Sequence, residues 1–336
     1  MPTKTQISAD VDFEQNGKQQ GYLRVPYSHN LAGWANILIP ITVVKNGSGP
    51  TLLALAGNHG DEYEGPVALM KVARSLEPEQ VRGRVIVIPA LNLPAVLAGT
   101  RLSPIDGVNL NRAFPGKYND SVTGLIAHYL TAVLFPLADI VMDIHGGGRS
   151  MDFFPCAHLH RVGDEAQFQK MLAAAKVWGQ RYVFIYADIA GEGLLPVQAE
   201  SMGKIVVTTE MGGAGQCSPS VLGVTERGVR NVMIHLGLLQ GELNPPPSDI
   251  TVVAATQRED YHLSPANGIY ESFFEVGQYV KQGEPLGQVH FPERHDYSPE
   301  VLIAHTSGIL ICRRFPAGTH RGDCLAVIAR LADGYA

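Results

Sequence analysis

The segment Thr51–Glu62, with the sequence TLLALAGNHGDE, joins an apolar run to a histidine and two acidic residues. Its first six residues, Thr51–Ala56, are typical of a buried strand, and an amphipathic segment follows the polar turn. His59 and Glu62 lie three residues apart at the end of that strand. An imidazole and a carboxylate offered from one turn suit Zn²⁺, which in catalytic sites takes three protein ligands and a water molecule. Because this spacing also occurs by chance in surface turns, the prediction depends on later segments.

Two later segments end in the same way, with a strand-like run followed by a polar side chain and glycines. Ile140–Gly148 (IVMDIHGGG) contains His145, a natural third zinc ligand, and its glycines permit a sharp turn and a close approach. Asp143 shares a strand face with His145, so it either orients the imidazole or caps the loop. Lys204–Gly213 (KIVVTTEMGG) contains Glu210, a carboxylate suited to act as a general base. Together the three strand ends predict a mononuclear zinc hydrolase.

Four motifs follow one another along the chain: GNHGDE at 57–62, NLNRAFPG at 109–116, DIHGG at 143–147 and TTEMGG at 208–213. This series resembles the succinylglutamate desuccinylase and aspartoacylase family, whose members are relatives of the zinc carboxypeptidases. The resemblance implies a zinc-dependent hydrolase that removes an acyl group from the nitrogen of an N-acyl amino acid. GNHGDEYEGPVAL at 57–69 and SPIDG at 103–107 resemble the branch of the family that deacetylates an N-acetyl-diaminobutyrate in ectoine degradation.

The resemblance implies a role for each matched residue. His59, Glu62 and His145 are implied to bind one Zn²⁺ ion. Glu210 is implied to be the general base, which takes a proton from water and then protonates the leaving amine. Arg101 matches the arginine that polarises the scissile carbonyl and stabilises the oxyanion.

The substrate-binding residues are predicted partly from the resemblance and partly from charge. Asn111 and Arg112 resemble the pair that binds the substrate's carboxylate, for which a guanidinium group is apt because its planar fork makes two charge-assisted hydrogen bonds. An acetylated diaminobutyrate also carries a free ammonium group, which needs an acidic or aromatic partner. Asp188, Glu192 and Tyr186 lie at or after the end of a predicted strand and are the candidates for that partner.

Other activities would share most of this machinery. Succinylglutamate desuccinylase or aspartoacylase activity would require a further arginine for an acidic side chain, and Arg149, Arg161 and Arg181 are available. A metallocarboxypeptidase would use the same zinc ion, general base and carboxylate clamp on a peptide. A non-enzymatic protein could use the metal and the clamp to bind an amino-acid derivative, although binding alone does not require Glu210.

Apolar runs typical of strands alternate with segments of helical periodicity. This pattern predicts an α/β fold with a mixed, mostly parallel sheet covered by helices. Strands are predicted at 37–44, 52–56, 84–89, 140–144, 182–187 and 205–209, and helices at 64–76, 122–137, 165–179, 194–202 and 219–239. Ligands bind such sheets outside the carboxyl ends of the strands, where the candidate residues fall.

The proline run at 245–247 predicts a domain boundary, because proline fixes φ and removes amide donors. Residues 1–244 are expected to form the zinc-dependent catalytic domain. Residues 249–336 contain short strands and glycine turns that resemble a biotinyl- or lipoyl-type barrel, but no lysine lies between Ala304 and Gly308, where a carrier would be modified. They are expected to form a smaller all-β cap domain that narrows the mouth of the site.

The composition is that of an ordinary globular protein, with 336 residues, 45% hydrophobic residues and a formal net charge of −6. This charge argues against nucleic-acid binding. No run approaches the length of a membrane span, and the amino terminus lacks an apolar signal core. The four cysteines show no CxxC spacing, which favours reduced thiols in the cytoplasm. We therefore predict a cytoplasmic enzyme with a small-molecule substrate. Homo-oligomerisation of the enzyme is also expected to be possible.

Overall fold

The computed structural model describes residues 4–187, 193–245 and 247–332. Within these ranges the chain forms a large mixed β-sheet with helices packed against it, and a second, four-stranded sheet lies near the carboxyl terminus. The predicted α/β class with a β-rich carboxyl-terminal region is confirmed.

The strands and helices have the following bounds. The strands are β1 (Ser8–Ala9), β2 (Gly17–Pro26), β3 (Asn36–Asn46), β4 (Thr51–Ala56), β5 (Gly83–Ile88), β6 (Ile140–His145), β7 (Met151–Phe153), β8 (Cys156–Leu159), β9 (Tyr182–Tyr186), β10 (Ile205–Glu210), β11 (Thr251–Ala255), β12 (Tyr261–Leu263), β13 (Gly268–Ser272), β14 (Tyr279–Val280), β15 (Pro285–His290), β16 (Glu300–Ile303), β17 (Gly308–Arg314), β18 (Gly318–Thr319) and β19 (Cys324–Leu331). The α-helices are α1 (Glu64–Ser75), α2 (Leu93–Ala98), α3 (Val122–Tyr129), α4 (Phe135–Leu137), α5 (Glu165–Val177), α6 (Leu195–Ser201) and α7 (Pro219–His235).

The centre of the large sheet is parallel and buried. β5, β4, β6 and β10 lie side by side in this order, and all three pairings between them are parallel. Antiparallel strands continue the sheet on both sides, with β3 beside β5 and β8 beside β10. Every residue of β4, β5 and β6 is buried, as expected for parallel strands covered on both faces. The carboxyl ends of the four central strands therefore meet at one edge of the sheet.

The predicted strands and helices of the first 240 residues are present, with small shifts at their ends. The largest difference is the helix predicted at 122–137, which is interrupted by a π-helical segment at Leu130–Leu134. Pro136, in the short helix α4, lacks an amide hydrogen, and its ring would clash with the carbonyl four residues earlier in a regular α-helix. The wider π turn accommodates this proline without ending the helix.

The large sheet continues across the predicted domain boundary. β11 pairs in parallel with β9 and in antiparallel with β19, so strands from both sides of residues 244–249 share one sheet. The separate sheet has the order β16, β15, β13, β18, and it shares an apolar cluster with β14, β17 and β19 of the large sheet. The division into domains at 244–249 stays a prediction from the sequence. Among the described residues, no helix is both long enough and apolar enough to cross a membrane.

Candidate active site

Four chemistry-bearing side chains lie at the carboxyl ends of adjacent parallel strands. His59 and Glu62 follow β4, His145 is the last residue of β6, and Glu210 is the last residue of β10. The parallel register places Glu210 opposite His145. Because β4 lies beside β6, the three segments that the sequence singles out converge at one edge of the sheet.

His59, Glu62 and His145 form a buried group that could hold a metal ion, since their ligand atoms all lie within 4.8 Å of one another. The Nδ1 atoms of His59 and His145 lie 2.7 Å and 2.9 Å from the two carboxylate oxygens of Glu62. Their Nε2 atoms point away from this centre. His145 donates to Oδ2 of Asp143 at 2.8 Å, and His59 donates to Oδ1 of Asn109 at 3.1 Å. Each ring therefore turns Nδ1 toward the centre, and an outer partner holds its orientation.

The charges of this group fit a divalent cation. Acceptor atoms in such close contact repel one another unless a proton or a cation lies between them. Burial lowers the pKa of His59. Burial also opposes protonation of His145, but the negative charges of Asp143 and Glu62 outweigh it and raise the pKa of His145 well above its usual value. Two imidazole nitrogens and a carboxylate form a donor set that suits Zn²⁺ and leaves a further position for water or substrate.

We expect zinc to stabilise the folded chain through this group. At a zinc concentration of about 100 times the Kd, the free energy of unfolding should rise by about 2.7 kcal/mol, because the unfolded chain does not bring the three ligands together. Thermal unfolding of the chelator-treated protein with and without zinc measures the effect. Glu62→Gln should abolish the stabilisation, whereas Mg²⁺, which prefers octahedral oxygen ligands, should not reproduce it in the wild type. Equal stabilisation of Glu62→Gln would place the zinc elsewhere.

Arg101 lies beside His59, Glu62 and His145, the three residues that could hold a metal ion and that we call the metal group. Its Nη1 atom is 3.5 Å from Nδ1 of His59 and 3.7 Å from Oε1 of Glu62. The Arg101 side chain remains 37% exposed, so its guanidinium group is accessible from the cavity that the metal group borders. A fixed positive charge at this position can stabilise negative charge that develops on a substrate oxygen.

The position of Arg101 depends on α2, which the sequence pattern does not predict. The amide of Gly60 donates to the carbonyl oxygen of Thr100, which ties the loop between His59 and Glu62 to the end of α2. A Cβ atom on Gly60 would lie only 1.9 Å from the carbonyl carbon of Ala95, so only glycine permits this approach.

Glu210 lines the same cavity and has a poorly solvated carboxylate. Its Oε2 atom is buried without a hydrogen-bond partner among the described residues, and its Oε1 atom lies 3.9 Å from Nε2 of His158. Burial, followed by the negative charge of Glu62, raises the pKa of Glu210 to about 8. A cation bound by Glu62 would offset the second of these causes. A carboxylate of raised basicity beside a metal group suits proton transfer.

Asn111 and Arg112 belong to a 3₁₀ turn, Leu110–Arg112, and both line the cavity. The side-chain oxygen of Asn111 accepts from the amide of Leu195 at 2.9 Å, and Nη1 of Arg112 donates to the carbonyl oxygen of Asn111 at 2.7 Å. In the part of the chain that the structure describes, no carboxylate pairs with Arg112. A half-buried guanidinium group without an acidic partner is suited to receive a substrate carboxylate.

His158 is a cavity residue that the sequence patterns do not predict. Its ring packs against Tyr186, with 4.8 Å between the ring centroids, and its Nε2 atom lies 3.1 Å from the carbonyl oxygen of Thr209. Burial lowers the pKa of His158 well below its usual value, which disfavours the charged form of the ring. The alternation of His158 and His160 in CAHLH is the signal that could have revealed it, but a strand of four residues is too short to recognise from periodicity.

The cavity has a volume of about 360 Å³ and largely apolar walls. Phe153 and Phe184 line it from the large sheet. The carboxyl-terminal region contributes Tyr261, Cys324 and Val327, so residues from both sides of the predicted domain boundary form one pocket.

The remaining predicted candidates divide into two groups. Arg149, Arg161 and Arg181 do not line the cavity, and the last two form ion pairs elsewhere. Asp188 and Glu192 lie outside the described residues.

One family model, the succinylglutamate desuccinylase/aspartoacylase catalytic domain, matches residues 48–236. The chain is 43% identical over 327 residues to the N-alpha-acetyl-L-2,4-diaminobutyric acid deacetylase of Halomonas elongata, which covers 97% of this chain and 96% of that protein. The structure of this chain is similar to that of the product-bound ectoine utilization protein EutE (DoeB) of Ruegeria pomeroyi, with a TM-score of 0.94 and 38% identity. The match covers 97% of this chain and 99% of the other. The structure is also similar to that of a succinylglutamate desuccinylase/aspartoacylase from Rhodobacter sphaeroides, with a TM-score of 0.93, 38% identity and coverage of 98% and 100%. The chain therefore belongs to the succinylglutamate desuccinylase/aspartoacylase family.

Proposed function

We propose that this protein is a zinc-dependent amidohydrolase that removes the acetyl group from N-α-acetyl-L-2,4-diaminobutyrate. The observation that carries the proposal is one small cavity that combines a His-Glu-His group, an acid opposite it and an arginine that pairs with no carboxylate among the described residues. The name of the relative with 43% identity supports the choice of substrate. Zinc is proposed from the donor set of His59, Glu62 and His145.

The carboxylate-binding pair of Asn111 and Arg112 and the metal group together would define the orientation of the substrate. Arg112 would bind the α-carboxylate of the amino acid through paired hydrogen bonds, with Asn111 beside it. The acylated nitrogen is attached to the carbon next to that carboxylate, so binding there directs the amide toward His59 and His145 in the same cavity. Holding both ends of a short molecule in this way supplies the alignment that hydrolysis needs.

The side chains have separate tasks in the proposed reaction. When bound, a zinc ion would polarise the scissile carbonyl and lower the pKa of water to about 7. Glu210 would take a proton from the attacking water and deliver it to the leaving nitrogen, so that one carboxyl group serves both steps. Arg101 would donate to the carbonyl oxygen as negative charge develops there.

The charges that line the cavity favour a neutral or cationic substrate side chain. Among the described lining residues, Arg101 and Arg112 are the arginines, and both have proposed tasks at the reacting end and at the α-carboxylate. An aspartate- or glutamate-type substrate would leave its second carboxylate without a cation. Tyr186 also lines the cavity, and an aromatic side chain is a suitable neighbour for an ammonium group. Asp188 and Glu192 remain predicted acidic partners for the same group.

Peptide cleavage is a weaker candidate. A volume of about 360 Å³ lies near the lower end of the range for small-molecule sites, which is roughly 300–1,000 Å³. Tyr261, Cys324 and Val327 of the carboxyl-terminal region also line this small cavity. A purely binding role would not need the carboxylate of Glu210 in the same cavity.

The release of free amine from a small panel of substrates tests the proposed function. The panel contains diaminobutyrate acetylated on either nitrogen, N-acetyl-norvaline as a neutral analogue, N-acetyl-aspartate, N-succinyl-glutamate and a blocked dipeptide. We expect the highest kcat/KM with the α-acetylated diaminobutyrate. Preference for an acidic substrate would contradict the proposed specificity but keep the hydrolase, whereas no release from any substrate would contradict the enzymatic function.

We further propose that the enzyme acts in the cytoplasm. Cys156, Cys217, Cys312 and Cys324 are all free thiols, which supports a reducing compartment. Homo-oligomerisation remains a prediction.

A further inference from the structure

Asn58 is fully buried directly before His59 and takes no part in the proposed reaction. Its Nδ2 atom donates to Oδ2 of Asp143 at 3.3 Å. The same oxygen atom accepts from Nε2 of His145 at 2.8 Å. A single carboxylate oxygen therefore links the loop that contributes His59 to the strand that contributes His145.

Asp143 has few other contacts that could fix its orientation. Its side chain is fully buried, and its Oδ1 atom has no hydrogen-bond partner among the described residues. Within the described ranges, Asn58 and His145 supply the two hydrogen bonds that it accepts. A buried carboxylate is costly unless donors satisfy it, so the loss of one donor would favour a different orientation.

The topology explains why the donor comes from Asn58. Leu55 of β4 is the register partner of Asp143 on β6, and Gly57 turns the chain with φ of +68°. Asn58, three residues after Leu55, then reaches the Asp143 carboxylate. The next residue, His59, turns its Nδ1 atom toward Glu62. An asparagine suits this contact because its amide donates, whereas an aspartate would set one buried carboxylate against another.

We propose that Asn58 is a positioning residue of the metal centre: its amide holds the carboxylate of Asp143, which in turn holds the ring of His145 with Nδ1 toward Glu62. This inference rests on the proposed metal-dependent function. Residues that act on a ligand through a hydrogen bond typically change metal affinity by about 10–100-fold. Asn58 is separated from the ligand His145 by one further hydrogen bond, through Asp143, so we expect a change in zinc affinity at the lower end of this range.

A double-mutant cycle on zinc affinity tests the proposal. The Kd for zinc is measured by competition with a chelator for the wild type, Asn58→Ala, Asp143→Ala and the double variant. Asn58→Ala should weaken zinc binding by about ten-fold in the wild-type background. In the Asp143→Ala background the same change should have an effect of less than about two-fold, because the partner through which Asn58 acts is gone.

Asn92 offers a matched control. It is a buried asparagine immediately before α2, and neither of its side-chain polar atoms has a partner among the described residues. Asn92→Ala removes the same buried amide without touching Asp143, so zinc affinity should not change. If Asn58→Ala does not fold, Asn58→Ser supplies the same comparison with a polar group too short to keep the contact.

Two results would overturn the inference: an unchanged zinc Kd in Asn58→Ala, or additive effects of the two substitutions in the cycle. Failure of the proposed function gives a different result. A wild type that binds zinc but hydrolyses no substrate in the panel would refute the enzyme and leave the cycle interpretable. A wild type that does not bind zinc would refute both.

Discussion

Replacing Glu210 with glutamine should lower kcat by roughly 10²–10⁴-fold and leave zinc affinity unchanged. Glutamine keeps the size of the side chain, but its amide cannot take a proton from water. Glu210 does not belong to the group of three residues whose ligand atoms converge, so the metal should remain bound. Steady-state kinetics with the α-acetylated diaminobutyrate, combined with the zinc Kd of the same variant, measures both quantities.

Glu64→Gln is a suitable control for this experiment. Glu64 is a buried glutamate two residues after Glu62, and burial raises its pKa to about 7. Its side chain accepts a hydrogen bond from the amide of Ser218 and does not line the cavity. We expect its kcat to stay close to that of the wild type. A Glu210→Gln variant with full activity would refute the role of Glu210 as the base while leaving the metal site intact. Loss of zinc in this variant would instead make Glu210 a ligand.

Replacing Arg101 with alanine should lower kcat by roughly 10²–10³-fold, with a smaller effect on KM. Its guanidinium group lies at the edge of the metal group, 3.7 Å from Oε1 of Glu62, where the oxygen of a bound amide would gain negative charge. An interaction that strengthens only as that charge develops affects kcat more than binding. Arg101→Lys keeps the charge but not the planar fork, so we expect only partial recovery.

Arg112→Ala is the matched partner of this experiment, because it removes the other arginine of the same cavity. It should raise KM by roughly 10–100-fold through the loss of charge-assisted hydrogen bonds to the carboxylate. Its effect on kcat should be smaller. If Arg112→Ala mainly lowers kcat and Arg101→Ala mainly raises KM, the two arginines exchange the roles proposed here.

Local patterns in the sequence were sufficient to predict the central strands and the three residues whose ligand atoms converge. β4 is apolar after Thr51, and β6 and β10 each begin with three apolar residues, because strands in the buried centre of a sheet need apolar side chains over most of their length. His59, Glu62, His145 and Glu210 each follow or end such a run. Parallel strands bring their carboxyl ends to one edge, so the convergence of these residues follows once their strands are neighbours.

Other features depend on contacts between segments that are far apart in the chain. α2 is too short for its periodicity to be recognised, yet its approach to Gly60 sets the position of Arg101. His158 reaches the cavity because β8 lies beside β10, an antiparallel neighbour that no local pattern reveals. Val327 lines the pocket because the large sheet continues into the carboxyl-terminal region. Hydrophobic periodicity predicts which face of a segment is buried, but the packing of the whole chain determines which segments become neighbours.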